Sequence, residues 1–345
     1  MRRALWPSAL SLTLVSFVSS TWSRGFDLNA FQHLPADRRL AVVLASFDWR
    51  ERQLENFSYQ LTETVHAEDG KLLTRSRFDF RRLGAANLLH CIRLEMLPGL
   101  RPSEFWCEWD GQVARTRTEK QGQSYGTVTD GESEFVHRLY YNDLLGVRIS
   151  MAPMTLAAWV RFRVGVGHRP FVVDATADGG TVLIRLRVET VPNAWDTYSV
   201  EPNRDYMIVR HEWEGIYSKL NDKGHMVHRV IEASRESGLW VPTKTEEIYM
   251  LRESNGRKAT YVYSVETFKR GVVQITDLAL EFPVGTTVLD TIQKTRYEVE
   301  EGGRVRRGEY YDSLIGQVFG PDGRILKRPT TRPSTRPALA GGPEK

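Results

Sequence analysis

The chain lacks the residue patterns that usually mark catalytic or metal centres. It holds only two cysteines in 345 residues, Cys91 and Cys107, and they do not form a CxxC pair. It also has no glycine-rich phosphate loop, no G-x-S-x-G turn and no HExxH pattern. These absences argue against a cysteine zinc site, a nucleotide-binding loop and a nucleophile-elbow hydrolase. We therefore expect no catalytic residue, no metal and no cofactor.

Long apolar runs are scarce as well. The clearest is Ala9–Val18, which follows Arg2 and Arg3 and precedes several small residues. This pattern predicts a secretory signal peptide over residues 1–23. A membrane anchor is the alternative, but the run is shorter than the about 20 residues that cross a bilayer. We expect an exported protein, and since no cysteine lies near the cleavage region, a lipoprotein anchor is not indicated.

Positive charge is concentrated at the two ends of the chain. The formal net charge is +4, and the segment from Pro321 onward alone carries +4. Arg2 and Arg3 add two more positive charges, so the part between the ends is near −2. The basic character is therefore no indication of a nucleic-acid-binding face, and we expect no nucleic-acid partner.

Apolar residues recur at every second position through much of the chain, most clearly in residues 171–251. In Thr181–Glu189, Val182, Ile184, Leu186 and Val188 share one face, while mostly polar residues share the other. Period 2 predicts a strand with one dry face. Turn sequences such as Asp178–Gly180 and Asn221–Gly224 separate the strand-like stretches of residues 171–251 from one another, which predicts an antiparallel meander.

Helical periodicity is confined to three stretches. Pro35–Glu55 predicts an amphipathic N-terminal helix, and Glu132–Leu145 and Met154–Phe162 predict two further helices among the strands. Further strands are expected before and after these two helices, among them Gly271–Phe282 and a last hairpin around Glu300–Gly303.

The order of elements resembles the lipoprotein-carrier fold of the LolA and LppX superfamily, which anti-sigma-factor regulators of the bacterial envelope share. Three segments are also similar to planctomycete-type envelope proteins of related fold: Thr197–Arg210, Gly238–Glu246 and Glu281–Asp290. The resemblance covers roughly residues 35–315 and provides no catalytic motif to carry over.

The resemblance implies an α+β fold. We expect a strongly curved antiparallel half-barrel of about ten strands enclosing two helices, with the N-terminal amphipathic helix alongside. The expected organisation is a signal peptide (1–23), a linker (24–34), a single LolA-like domain (35–318) and a disordered Pro/Arg-rich tail (319–345).

Abundant aromatic residues on the predicted strands and helices suggest an apolar cavity between sheet and helices. The predicted lining residues are Leu156, Trp159, Val160, Val182, Ile184, Leu186 and Trp213. We expect a lipid, a lipoprotein acyl chain or another apolar ligand there, in the periplasm or cell envelope. If this is correct, Trp159→Ala costs less stability than a pure core substitution. The alternatives are a ligand-free envelope sensor or protein-interaction module, with an envelope protein as partner, and a hydrolase. The oligomeric state stays open.

Three polar sets allow more than one interpretation. Cys91 and Cys107 fall in neighbouring strands and form either a disulfide or two buried thiols. His225 and His228 are three apart and would face opposite ways on a strand, so a metal site with His211 and Glu212 is not favoured. The carboxylates Glu212, Glu214, Glu246 and Glu247 are better explained by cross-strand ion pairs on the wet face than by a hydrolase site.

Overall fold

The computed structural model describes residues 26–95, 103–130, 144–145, 156–166, 171–217, 222–251, 258–312, 317–321 and 324–327. Three helices lie in these ranges: α1 (Leu28–Gln32), α2 (Ala36–Gln53) and α3 (Leu156–Val166). None of them combines the length and the apolar composition that crossing a membrane requires.

Strands make up most of the remainder. They are β1 (Asn56–His66), β2 (Leu72–Leu83), β3 (Ala86–Glu95), β4 (Ser103–Trp109), β5 (Ala114–Lys120), β6 (Gln123–Thr129), β7 (Phe171–Asp178), β8 (Thr181–Val191), β9 (Ala194–Glu201), β10 (Met207–Tyr217), β11 (Asp222–Glu236), β12 (Leu239–Leu251), β13 (Lys258–Arg270), β14 (Thr287–Asp290), β15 (Thr295–Val299), β16 (Val305–Gly308), β17 (Tyr310–Asp312), β18 (Gln317–Phe319) and β19 (Ile325–Lys327).

The first sixteen strands form one sheet. Its order is β16-β15-β14-β6-β5-β4-β3-β2-β1-β13-β12-β11-β10-β9-β8-β7, and β17–β19 form a separate three-stranded sheet. β1 pairs with β13 as well as with β2, so it joins two antiparallel meanders near the middle of the sheet. β14 pairs with β6 in parallel, which makes the sheet mixed.

The expected half-barrel of about ten strands is therefore wrong. The described chain forms an open, mixed sheet of sixteen strands, and its helices are few and short. Local alternation predicts individual strands, but it does not predict how many of them pair within one sheet. The parallel β14–β6 pair adds β14, β15 and β16 to one edge, and no local pattern reports that pairing.

One face of the sheet, called the inner face here, carries the helices and most of the core. On β1 the alternation is plain, since Phe57, Tyr59, Leu61 and Val65 are buried and the residues between them are more accessible. α2 turns its apolar residues to this face, and Val43 and Phe47 are almost completely buried. α3 packs against α2 and β8, and both α1 and α2 contact β7.

Several predicted elements are confirmed and one is wrong. α2 and α3 match the predicted helices, and the β15–β16 hairpin matches the predicted last hairpin. Gly271–Phe282 is not a strand, because it holds a 3-10 turn at Ile275–Leu278. This segment links β13 to β14, which lie on opposite sides of β1, and it contacts β2 and β3 on its way.

Other predictions concern segments that lie partly or wholly outside the described residues. The signal peptide, most of the predicted helix Glu132–Leu145 and the end of the tail lie outside the described residues; at the end of that helix only Leu144 and Leu145 are described, both fully buried. Within the predicted linker the chain forms α1, and within the predicted tail residues 325–327 form β19.

The parallel β14–β6 pair depends on a close approach at Gly126. A Cβ added to Gly126 would lie 2.5 Å from Phe282 Cε1 and 3.1 Å from Val288 Cγ2. We expect Gly126→Ala to lower the free energy of unfolding by about 1–3 kcal/mol, because the half-buried Phe282 ring must move. Denaturant unfolding measures this. Gly308→Ala on β16 is the control, since its nearest neighbour would be Arg296 O at 3.7 Å. Equal stabilities for the two variants would contradict the prediction.

A candidate ligand-binding cavity on the inner face

A cavity of about 780 Å³ opens on the inner face over β1–β5, β12 and β13. Its lining residues are Glu63, Val65, Leu73, Thr74, Ser76, Phe78, Leu89, Cys91, Arg93, Ser103, Phe105, Thr118, Glu247, Tyr249, Tyr261 and Tyr263. Small-molecule sites commonly enclose roughly 300–1,000 Å³, so the cavity has room for a ligand of that class.

The walls of this cavity follow from strand register. Phe78 on β2 lies opposite Cys91 on β3, and Cys91 lies opposite Phe105 on β4. Phe105 in turn lies opposite Thr118 on β5. Residues directly opposite one another share a face, so one row across four strands supplies one wall. Tyr249 on β12 supplies part of the other side. Aromatic and aliphatic side chains therefore dominate the surface that a ligand would meet.

Two carboxylates lie in this largely apolar wall. Glu63 on β1 is opposite Tyr263 on β13, and Glu247 on β12 is opposite Tyr261. The Tyr263 hydroxyl donates to Glu247 Oε2 at 3.1 Å, and Glu63 also has Tyr263 as a hydrogen-bond partner. Burial, together with these two carboxylates, raises the pKa of Tyr263 well above its ordinary value, so the phenol stays protonated. Both acidic groups thus meet at one hydroxyl.

Glu63 is only weakly compensated. Burial raises the pKa of Glu63 from 4.5 to about 6, and hydrogen bonding to Tyr263 and the charge of Arg93 offset this only in part. The folded-state pKa is above the unfolded one. The stability that Glu63 contributes is therefore complete below pH 4.5 and lost as the pH rises through about 6. At neutral pH the cavity wall therefore holds the ionised Glu63 carboxylate at a cost to folding.

The cavity also holds one of the two cysteines. Cys91 and Cys107 are both thiols in the structure, and Cys107 is fully buried. Cys91 lies opposite Phe105, and Cys107 lies opposite Leu89, so the cysteines are diagonal neighbours on the inner face. Burial, and then the charge of Glu63, raise the pKa of Cys91 to about 12, which leaves an unreactive thiol.

Buried polar residues continue from the cavity across the inner face. His228 on β11 lies opposite Glu247 and hydrogen-bonds Thr245 Oγ1 through Nε2 at 3.0 Å. His211 on β10 lies opposite His228 and hydrogen-bonds Asp196 Oδ1 through Nε2 at 2.9 Å. Among the described residues no group of His, Cys, Asp or Glu has the arrangement of a metal site.

The structure contradicts the predicted position of one carboxylate, that of Glu247. Glu246 is on the outer face, where Arg229 Nε donates to its Oε2 at 2.8 Å, as the ion-pair interpretation predicts. Glu247 is the next residue on a strand and so faces inward, where it is 2 % exposed. The alternation Thr245, Glu247, Tyr249 indicates this position in the sequence. Grouping Glu247 with the wet face was therefore wrong.

The predicted lining residues lie elsewhere on the inner face. Leu156, Trp159, Val160, Ile184 and Leu186 are all buried in one core cluster with α2. Val182 and Trp213 are half-buried on the same face, on β8 and β10. α3, which matches the predicted helix Met154–Phe162, packs against β8. None of these residues lines the cavity described above. Their binding role stays a prediction.

Comparisons with known proteins give structural matches only. No family model and no curated protein sequence matches the chain. The similar solved structures include a DUF1329 family protein from Desulfovibrio piger, at 10% identity and a TM-score of 0.41, covering 69% of this chain and 99% of that one. A putative outer membrane lipoprotein-sorting protein domain from Vibrio parahaemolyticus has 7% identity and a TM-score of 0.42, covering 68% and 95%.

A third similar structure is the MucA/MucB complex of Pseudomonas aeruginosa. Its identity is 8% and its TM-score 0.23, with 66% of this chain and 100% of that chain covered. Because every one of these TM-scores is below 0.5, no ligand or residue role is taken from them.

Proposed function

We propose that the protein is a non-enzymatic binding protein of the cell envelope that holds a lipid or lipoprotein acyl chain in the cavity on the inner face. The observation that carries this proposal is the roughly 780 Å³ cavity with aromatic and aliphatic walls. The apolar run near the N-terminus supports export.

Apolar burial would supply the affinity. Each Å² of apolar surface removed from water contributes about 25 cal/mol, so a long alkyl chain gains several kcal/mol on entering an apolar cavity. Val65, Leu73, Phe78, Leu89 and Phe105 provide the apolar contacts. They stand on strands that pair along their length, so the wall is held in shape before a ligand arrives.

Filling the cavity is the direct test. Ser76 is 2 % exposed, lines the cavity and lies opposite Glu63. We expect Ser76→Phe to weaken binding of a fluorescent fatty-acyl probe about tenfold or more, which is about 1.4 kcal/mol, because the added ring takes the space of the ligand. Thr118→Phe, in the opposite wall and less buried, should act in the same direction.

Ser264→Phe is the matched control. Ser264 is exposed on β13 and pairs with Lys244 and Thr62, whose side chains point away from the cavity. Probe titration and circular dichroism are run on all four proteins, and lipid in the purified wild type is sought by mass spectrometry. A wild type that binds no probe and carries no lipid would overturn the proposal and favour a ligand-free interaction module.

A further inference from the structure

The cavity carries more negative charge than a site for a hydrocarbon chain alone requires. Its described lining contains two carboxylates, Glu63 and Glu247, and one cation, Arg93. Arg93 is exposed, so water screens its charge, whereas Glu247 is buried. The interior of the cavity is therefore negative.

The two carboxylates are also close together. The Tyr263 hydroxyl donates to Glu247 Oε2 at 3.1 Å and is also a hydrogen-bond partner of Glu63, so the two carboxylates share one phenol proton. Glu63 keeps acceptor capacity and, when ionised, is incompletely compensated in an apolar wall. A ligand that brings positive charge to this point would offset that cost.

Aromatic rings surround the same point. Tyr261 and Tyr249 stand on β13 and β12 beside Glu247, and all three line the cavity with Tyr263. Aromatic faces attract cations, most strongly where water is excluded, and aromatic cages with nearby carboxylates suit quaternary and primary ammonium groups.

We propose that the ligand is a cationic amphiphile: an alkyl or acyl chain that ends in a primary amine or quaternary ammonium group. The proposal rests on the cavity being the ligand site proposed above. The cationic group lies between Glu63 and Glu247 against the tyrosine rings, and the chain runs along Phe78 and Phe105. A fatty carboxylate in the same pose would place like charges together, which disfavours it.

Three probes with the same twelve-carbon tail separate the possibilities: dodecyltrimethylammonium, dodecanol and dodecanoate, the two ionic probes used below their micelle concentrations and dodecanol below its solubility limit. Displacement of the fatty-acyl probe from the full chain at pH 8 gives the affinities. We expect the ammonium probe to bind about tenfold or more tightly than dodecanol, and dodecanoate to bind weakest.

Glu63→Gln should remove this preference. The amide keeps the size of the side chain and loses its charge, so ammonium affinity should fall about tenfold while dodecanol affinity stays within about twofold. The amide also removes the ionisation cost, so the variant should be no less stable than the wild type at pH 8. Glu266→Gln is the control, because Glu266 is exposed on β13 and pairs with Arg77 at 3.3 Å.

The ammonium affinity should also depend on pH. It should fall as the pH drops through about 6, where Glu63 takes up a proton, and this dependence should be absent in Glu63→Gln. The titratable and charged groups that line the cavity with Glu63 are Tyr249, Tyr261, Tyr263, Glu247, Cys91 and Arg93. Dodecanol affinity serves as the internal reference at each pH.

The outcomes distinguish the two proposals. If none of the three probes binds, the cavity is not a site for an apolar chain and both proposals fail. If all three bind with similar affinity, or dodecanoate binds best, the apolar site stands and the cationic amphiphile is overturned. An ammonium preference that persists in Glu63→Gln also contradicts the assignment of the cationic group to Glu63.

Discussion

Arg50→Leu is expected to lower the free energy of unfolding by about 3 kcal/mol or more, since each buried acceptor left without a donor costs about 1–3 kcal/mol. Arg50 is on α2 and is fully buried. Its guanidinium donates to three backbone carbonyls: Nε to Leu145 O at 2.9 Å, Nη1 to Asp205 O at 3.3 Å and Nη2 to Trp240 O at 2.7 Å. Denaturant unfolding measures the loss.

These three carbonyls belong to distant parts of the chain, so Arg50 ties α2 to the β9–β10 connection and to β12. Asp205 also accepts the Trp240 backbone N–H through Oδ2 at 3.0 Å, which completes the cluster. Arg50→Lys should recover only part of the stability, because an ammonium group cannot place its N–H donors as the planar guanidinium does. Arg52→Leu, exposed on the same helix, is the control. A loss at Arg50 no larger than at Arg52 would contradict this role.

Trp159→Ala is expected to cost about 3–5 kcal/mol, the full loss of a large core side chain. Trp159 belongs to α3, is 6% exposed and packs in a cluster that includes Phe47, Leu186 and Tyr198. The sequence alone favours a smaller loss, on the view that a ligand occupies part of this space. The dense cluster around Trp159 leads us to expect the larger loss with fatty-acyl probe binding unchanged.

Phe162→Ala on the same helix is the matched control, because Phe162 is 46% exposed and should cost little. Unfolding free energy and probe affinity are measured for both variants. A small stability loss at Trp159, together with a sharp change in probe binding, would place the ligand beneath α3 instead. The site first inferred from the sequence would then replace the cavity over β1–β5.

Arg50→Leu and Trp159→Ala, taken together with Ser76→Phe, test whether two parts of the inner face have different roles. Over β7–β10 the described helices cover the sheet and the side chains form a core cluster. Over β1–β5, β12 and β13 the sheet leaves a cavity with acidic and aromatic residues in its wall. Stability should respond mainly to the first part, and ligand binding to the second.

Much of the local structure could be read from the sequence. The alternation of Val182, Ile184 and Leu186 predicts one face of β8, and those residues do point inward, where α3 packs against the strand. The helical spacing in Pro35–Glu55 predicts α2. Such features depend on neighbours within a few residues, which is why period alone identifies them. Glu63, spaced with Tyr59, Leu61 and Val65, was also recognisable as an inward position.

Only the tertiary structure decided which strands meet and where the inner face stays hollow. β1 pairs with β13, about 200 residues away, and β14 pairs with β6 in parallel. Alternation predicts which face of the sheet a residue occupies but not which residue lies opposite it, so no local pattern predicts either pairing. The meeting of Glu63 and Glu247 at Tyr263 depends on the β1–β13–β12 pairings. The sequence therefore determined the strands and their dry faces, and the long-range pairing determined the cavity and its charge.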